Sequence, residues 1–221
     1  MQVTKIAIAD DQRLFRKGMI SLLHEYKGLK VILEAEDGQD LIQKLTTQRP
    51  DIVLLDLEMP KLNGIETLKH IRATYPKMKV LILTMHNQDK FILHTMEMGA
   101  NGFLMKDAEP EEVLEAIEQT MTEGDYFSRH TIKVMRDGLK KRTRTAPSFS
   151  NKAGLTDREL EVVQLTTEGL TAKQVGEKLF IHKRTVEGHR RNILEKIGAN
   201  NIIQMIVYAV QHNLVDLDKI S

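Results

Sequence analysis

The run Pro50-Asp51-Ile52-Val53-Leu54-Leu55-Asp56-Leu57-Glu58-Met59-Pro60-Lys61-Leu62-Asn63-Gly64 sets the architecture of the chain. Ile52 to Leu55 is a continuous apolar run between turn signals, the pattern of a strand buried on both faces in a parallel sheet. A carboxylate, Asp56, ends it, and Pro60 and Asn63-Gly64 mark the loop beyond. Open parallel sheets bind ligands at the carboxyl ends of their strands, so Asp56 stands where chemistry takes place. Taken alone, it would serve equally well as a cap for the next turn.

The neighbouring segments repeat the pattern. Lys5–Ala9 reads as a strand ending in Asp10-Asp11, followed by a helix with Leu14, Phe15, Ile20, Leu22 and Leu23 on its buried side. Val31–Ala35, Val80–Leu83 and Gly102–Met105 read as further strands, the last two ending at Thr84 and Lys106. Helices with apolar residues at helical spacing separate them, the fifth running from Glu111 to Thr122. Strands alternating with helices predict an α/β doubly wound five-stranded parallel sheet over residues 1–124.

Composition narrows the function classes. The 221 residues contain no cysteine, which excludes a disulfide framework and thiolate chemistry and fits a reducing compartment. No apolar run reaches transmembrane length and the N-terminus lacks a signal-peptide pattern, so a cytoplasmic protein with no membrane partner is expected. The net charge of +1 conceals a division. Residues 1–124 carry 15 Lys and Arg against 20 Asp and Glu, net −5; residues 125–221 carry 17 against 11, net +6. An acidic half joined to a basic half predicts two domains with different partners, the basic one suited to nucleic acid.

Asp10, Asp11, Asp56, Thr84 and Lys106 converge on one edge of the predicted sheet. Clustered carboxylates repel and call for a cation. An oxygen-only ligand set with few side chains suits Mg²⁺, which keeps several waters and binds phosphate oxygens. Lys106 can pair with a carboxylate or a phosphoryl oxygen, and Thr84 can donate a hydrogen bond to one. Such a group can position and neutralise a phosphoryl group moving onto Asp56.

Residues 1–124 resemble a response-regulator receiver domain, a flavodoxin-like fold. The resemblance implies that Asp56 is the phosphoacceptor, and that Asp10, Asp11, Asp56 and the backbone carbonyl of Glu58 bind Mg²⁺. It implies that Thr84 and Lys106 contact the phosphoryl group and that Phe103 is an aromatic switch. Asp107 stands where many receivers place a proline.

Between the halves, residues 125–150 read as a linker with a helix over Thr131–Lys141 and a solvated basic run, Lys140–Arg144. Residues 151–221 then carry two capping boxes, Thr156-Asp-Arg-Glu159 and Thr171-Ala-Lys-Gln174. The second opens a short helix; a tight turn at Phe180-Ile181 precedes a cation-rich helix from Lys183 to Lys196, stopped by Gly198. A short helix, a brief turn and a basic helix form a helix-turn-helix, whose second helix enters the major groove. Lys183, Arg184, Thr185, Glu187, Gly188, Arg190 and Arg191 are the expected DNA-binding residues. The cations and Thr185 suit phosphate, Arg191 can in addition reach guanine edges, and Glu187 can accept from cytosine.

The segment resembles a LuxR-type DNA-binding domain through Leu155-Thr-Asp-Arg-Glu-Leu-Glu-Val162, Thr185-Val186, His189, Asn192-Ile193 and Lys196-Ile-Gly198. Three sites depart from that pattern, Val175-Gly176, His182 and Glu187-Gly188. Gly176 stands where the family favours alanine, at a cost of ~1 kcal/mol to its helix. His182 stands where a serine cap is preferred, and Glu187-Gly188 where some relatives contact bases. The resemblance makes a fourth helix the dimerisation element, with Ile203, Met205, Ile206 and Tyr208 shared between core and pairing.

The whole chain therefore resembles a NarL/FixJ-type response regulator. The implied partners are a sensor histidine kinase, double-stranded promoter DNA and, when phosphorylated, a second copy in a homodimer. No enzymatic activity beyond self-phosphorylation and dephosphorylation is expected. An Asp-nucleophile phosphatase would need a second aspartate where Glu58 stands. A phosphorylation-independent scaffold would have no use for the complete acidic, threonine and lysine set.

Overall fold

The computed structural model describes residues 3–85, 89–128, 131, 134, 154–212, 214 and 215. The chain divides into two compact units, Met1–Ser128 and Arg129–Ser221. The expected linker helix and basic run fall almost wholly outside the described residues.

The first unit alternates strictly: β1 (Thr4–Ala9), α1 (Arg13–His24), β2 (Leu29–Ala35), α2 (Gly38–Leu45), β3 (Ile52–Asp56), α3 (Gly64–Thr74), β4 (Lys79–Thr84), α4 (Asp89–Glu97), β5 (Gly102–Met105) and α5 (Pro110–Glu123). The strands form one all-parallel sheet in the order β2-β1-β3-β4-β5. Side chains alternate across a strand, so each strand supplies both faces. Ile6, Ile8, Ile52, Leu54, Leu81, Leu83 and Leu104 build a core with Met19 and Leu23 of α1 and Val113, Ala116 and Ile117 of α5. The intervening Val53, Leu55, Val80, Ile82 and Phe103 are buried too, as are Leu41, Leu68, Ile71, Ile92 and Met96 on α2 to α4. Burial on both faces is why these strands read as unbroken apolar runs.

Helix starts follow local chemistry. Asp37 caps α2 by accepting from the Asp40 amide at 2.8 Å, Asn63 and Glu66 form a capping box on α3, and Pro110 occupies the first turn of α5. The α1 surface differs from expectation at one residue: Leu14 is 88% exposed, and Met19 with Leu23 takes the buried stripe.

The unit reaches past Gly124 because the chain returns to the sheet. The Tyr126 amide donates to the Asn101 carbonyl at 2.7 Å, and Tyr126 bridges Gly102 in parallel. Asn101 Nδ2 donates to the Gly124 carbonyl and the Asp125 carboxylate, while Asn101 Oδ1 accepts from Arg72 and from the Val80 amide. Burial pulls the Arg72 guanidinium down to about 10, with Asp125 opposing.

The second unit contains α6 (Asp157–Thr167), α7 (Ala172–Leu179), α8 (Lys183–Ile197) and α9 (Ile202–Gln211). Both expected capping boxes form, on α6 and α7. Phe180 closes α7 in the left-handed region, φ 55°, and Gly198 closes α8 at φ 68°. His182 gives α8 no side-chain cap, as its departure from serine predicts. Gly176 is better placed than its helix propensity suggests: a Cβ there would stand 2.6 Å from the Ile181 carbonyl, so the tight turn needs glycine's small size.

Candidate functional site

Sheet register builds the site. Ala9 pairs beside Leu55, so Asp10 and Asp56 lie one step on at the same level between β1 and β3, where the strand order reverses. Thr84 pairs with Met105, which brings Lys106 one residue beyond, its amide donating to the Thr84 carbonyl at 2.9 Å. Asp10, Asp56 and Thr84 are all buried, and Asp11 beside them is exposed.

The Lys106 ammonium bridges the two buried carboxylates. Nζ donates to Asp56 Oδ2 at 2.7 Å and stands 2.8 Å from Asp10 Oδ2. The second contact is an ion pair without hydrogen-bond alignment, which leaves Asp10 Oδ2 buried with acceptor capacity to spend. Burial raises Asp56 above the ordinary carboxylate value; Lys106 draws it back only in part, and Asp10 adds repulsion. Burial would lower Lys106, but its pairing with Asp10 and Asp56 outweighs that and holds the ammonium above its usual value. Two other groups are placed here that the sequence pattern did not reveal. The Phe15 ring lies 5.0 Å from Lys106 Nζ, a cation–π contact, and Arg16 donates to the Asp10 carbonyl.

Carboxylate oxygens of Asp10, Asp11 and Asp56 lie within 4.8 Å of one another. One ammonium against three carboxylates leaves the group acidic, and with the unspent Asp10 oxygen it can hold a metal ion. The Glu58 amide donates to Asp56 Oδ1 at 3.3 Å, which seats the loop carrying the Glu58 carbonyl beside the cluster. Gly64 keeps that loop tight: a Cβ there would fall 2.1 Å from the Asp56 carbonyl. Phe103 on β5 is buried on the opposite sheet face from Leu104 and the α1–α5 core.

Two family models match the chain: response regulator receiver domain over residues 6–118, and bacterial regulatory proteins, luxR family, over residues 153–209. The first alone spans half of the sequence. The chain is a response regulator of the LuxR type. It is 31% identical to the transcriptional regulatory protein DegU of Brevibacillus brevis, over 96% of this chain and 94% of that one. It is 31% identical to the oxygen regulatory protein NreC of Staphylococcus aureus, over 96% and 99%. A LuxR-family response regulator from Aurantimonas matches in structure at TM-score 0.57 and 30% identity, over 65% of this chain and all of that one. The regulator thus joins a receiver to a DNA-binding domain and acts in transcription regulation.

In that second domain, α8 presents Lys183, Arg184, Thr185 and Arg191 as exposed residues, with Glu187 and Gly188 half-buried and open space around Gly188. Lys183 pairs with Glu187 across one turn at 3.8 Å. Arg190 corrects the sequence reading: it is buried, with Nη2 donating to Thr166 Oγ1 at 3.1 Å and to the Leu170 carbonyl at 3.0 Å. It lies on the inner side of α8 with Val186 and Ile193, away from the exposed cations. Ile203, Met205 and Ile206 are buried where α9 packs against α6 and α8, and of the four only Tyr208 keeps partial exposure, its ring 4.1 Å from that of His212.

No helix among the described residues is long and apolar enough to cross a membrane.

Proposed function

We propose that this regulator accepts a phosphoryl group on Asp56 from the phosphohistidine of a sensor kinase, with Mg²⁺ held by Asp10, Asp11, Asp56 and the Glu58 carbonyl. The observation that carries the reading is the pair of buried carboxylates bridged by one buried ammonium. An Asp56 oxygen attacks phosphorus as the bond to the histidine nitrogen breaks. Burial keeps Asp56 basic enough to attack, and Lys106 is within reach of a phosphoryl oxygen on Asp56 Oδ2. Mg²⁺, when bound, neutralises charge on the transferring oxygens. Thr84 donates to the phosphoryl group, and Phe103 repacks beside it. The new charge biases a two-state surface on the receiver.

The functional outcome is a cytoplasmic homodimer that binds promoter DNA through two α8 helices, with binding that weakens steeply in salt. Turnover of phosphate esters is not part of this function. Intact-protein mass after incubation with acetyl phosphate tests the reading. One added phosphoryl group on the wild type in Mg²⁺, and none in EDTA or on Asp56→Asn, is expected. Addition to Asp56→Asn, or none to the wild type, would overturn it.

A further inference from the structure

The corrected place of Arg190 gives it a different task. Its guanidinium enters the end of α6, where Thr166 lies in the last turn and Leu170 follows in the α6–α7 connection. A buried guanidinium is costly unless it is hydrogen-bonded, so these acceptors fix where the side chain can go. Thr166 is itself held, its hydroxyl donating to the Val162 carbonyl at 2.7 Å.

A second tie lies further along α8. Lys196 Nζ donates to Glu159 Oε2 at 2.7 Å, and Glu159 is the buried capping-box residue at the start of α6. At 1.5 Å per residue, Arg190 and Lys196 are separated by ~9 Å along α8 and their partners Thr166 and Glu159 by ~10.5 Å along α6, in opposite senses. One tie would let a helix pivot. Two ties at matched spacing fix its axial position and its rotation, and so fix which side chains face outward.

We infer that Arg190 is a positioning residue for DNA recognition: docked on the end of α6 and paired with the Lys196–Glu159 tie, it sets the pose of α8 without touching DNA. The inference rests on α8 being the DNA-reading helix. Loss of all salt-dependent DNA binding in the wild type would sink that underlying reading, whereas the comparison of variants below addresses Arg190 alone.

The test uses the full chain, with a duplex enriched by the wild type from a random pool and a scrambled duplex of equal composition. Affinity for both is measured across a salt series for wild type, Arg190→Met, Thr166→Val and Arg191→Ala. Arg190→Met should lower the enriched-to-scrambled affinity ratio roughly tenfold, about the worth of one lost base contact, with the slope against salt unchanged. Thr166→Val, which removes one acceptor and keeps side-chain volume, should lower the ratio in the same direction by less. Arg191→Ala should reduce the slope by about 0.9, as loss of one phosphate contact does. A reduced slope in Arg190→Met would make Arg190 a DNA contact and overturn the inference. An unchanged ratio in folded Arg190→Met would also overturn it. If Arg190→Met does not fold, Thr166→Val decides: an unchanged ratio there overturns the inference.

Discussion

Asp56 illustrates how far a single residue's role can be read from its neighbours in sequence. The strand-end position of Asp10, Asp56, Thr84 and Lys106 was legible because parallel strands in register bring successive ends together, and each end is marked by a change from apolar to polar. What no pattern shows is the rotation of α1, which sends Leu14 outward and sets Phe15 against Lys106. Adjacent apolar residues at the start of a helix cannot both enter the core, and packing decides between them. The raised Asp56 carboxyl has a thermodynamic consequence. Its proton is held more tightly in the folded state than in the unfolded one. Ionisation therefore costs stability, and the cost grows as pH rises from 3.8 through the raised folded value. Asp56→Asn is expected to stabilise the receiver at neutral pH by on the order of 1 kcal/mol. The gain should fade below pH 3.8, where both states of the wild type are protonated. Urea titrations at the two pH values check this.

At the scale of elements, helix ends were the clearest signals and helix faces the least clear. The capping boxes at Thr156 and Thr171 form as written because they depend on residues three apart. The charge of Arg190 suggests an outward position, but its periodicity places it inside. Its spacing from Val186 and Ile193, four before and three after, is that of the buried stripe. Ile203, Met205 and Ile206 likewise lie in the core of their own domain. Burial would raise Glu159, but Lys196 and the Thr156 amide outweigh it and hold the carboxyl below its ordinary value. A depressed folded value means stability that is present above 4.5 and lost as pH falls through the folded value. Glu159→Gln should cost the helical domain about 2 kcal/mol at neutral pH. It should also flatten the acid side of that domain's stability curve, as followed by thermal unfolding between pH 3 and 7. In the receiver, Gly64→Ala would press a methyl group into the Asp56 carbonyl. A loss of about 3 kcal/mol, an overpacking cost, is expected together with weakened Mg²⁺ binding, measurable by denaturant unfolding and calorimetry.

For the whole molecule, charge divides the two halves in the sequence itself, because an acidic pocket and a DNA-binding surface require opposite signs. The exact end of the first unit was not legible. The Tyr126–Gly102 bridge that carries it to Ser128 joins segments with no local signal linking them. On the proposed function, phosphorylation of Asp56 in the acidic half governs DNA binding by the basic half. It is tested most directly by the affinity of the full chain for an enriched duplex, with and without acetyl phosphate and Mg²⁺, in wild type and Asp56→Asn. Pairing of two DNA-binding domains raises avidity steeply, so the wild type should gain roughly tenfold or more on phosphorylation while Asp56→Asn does not respond. Equal affinity of the phosphorylated and unphosphorylated wild type would contradict the claim.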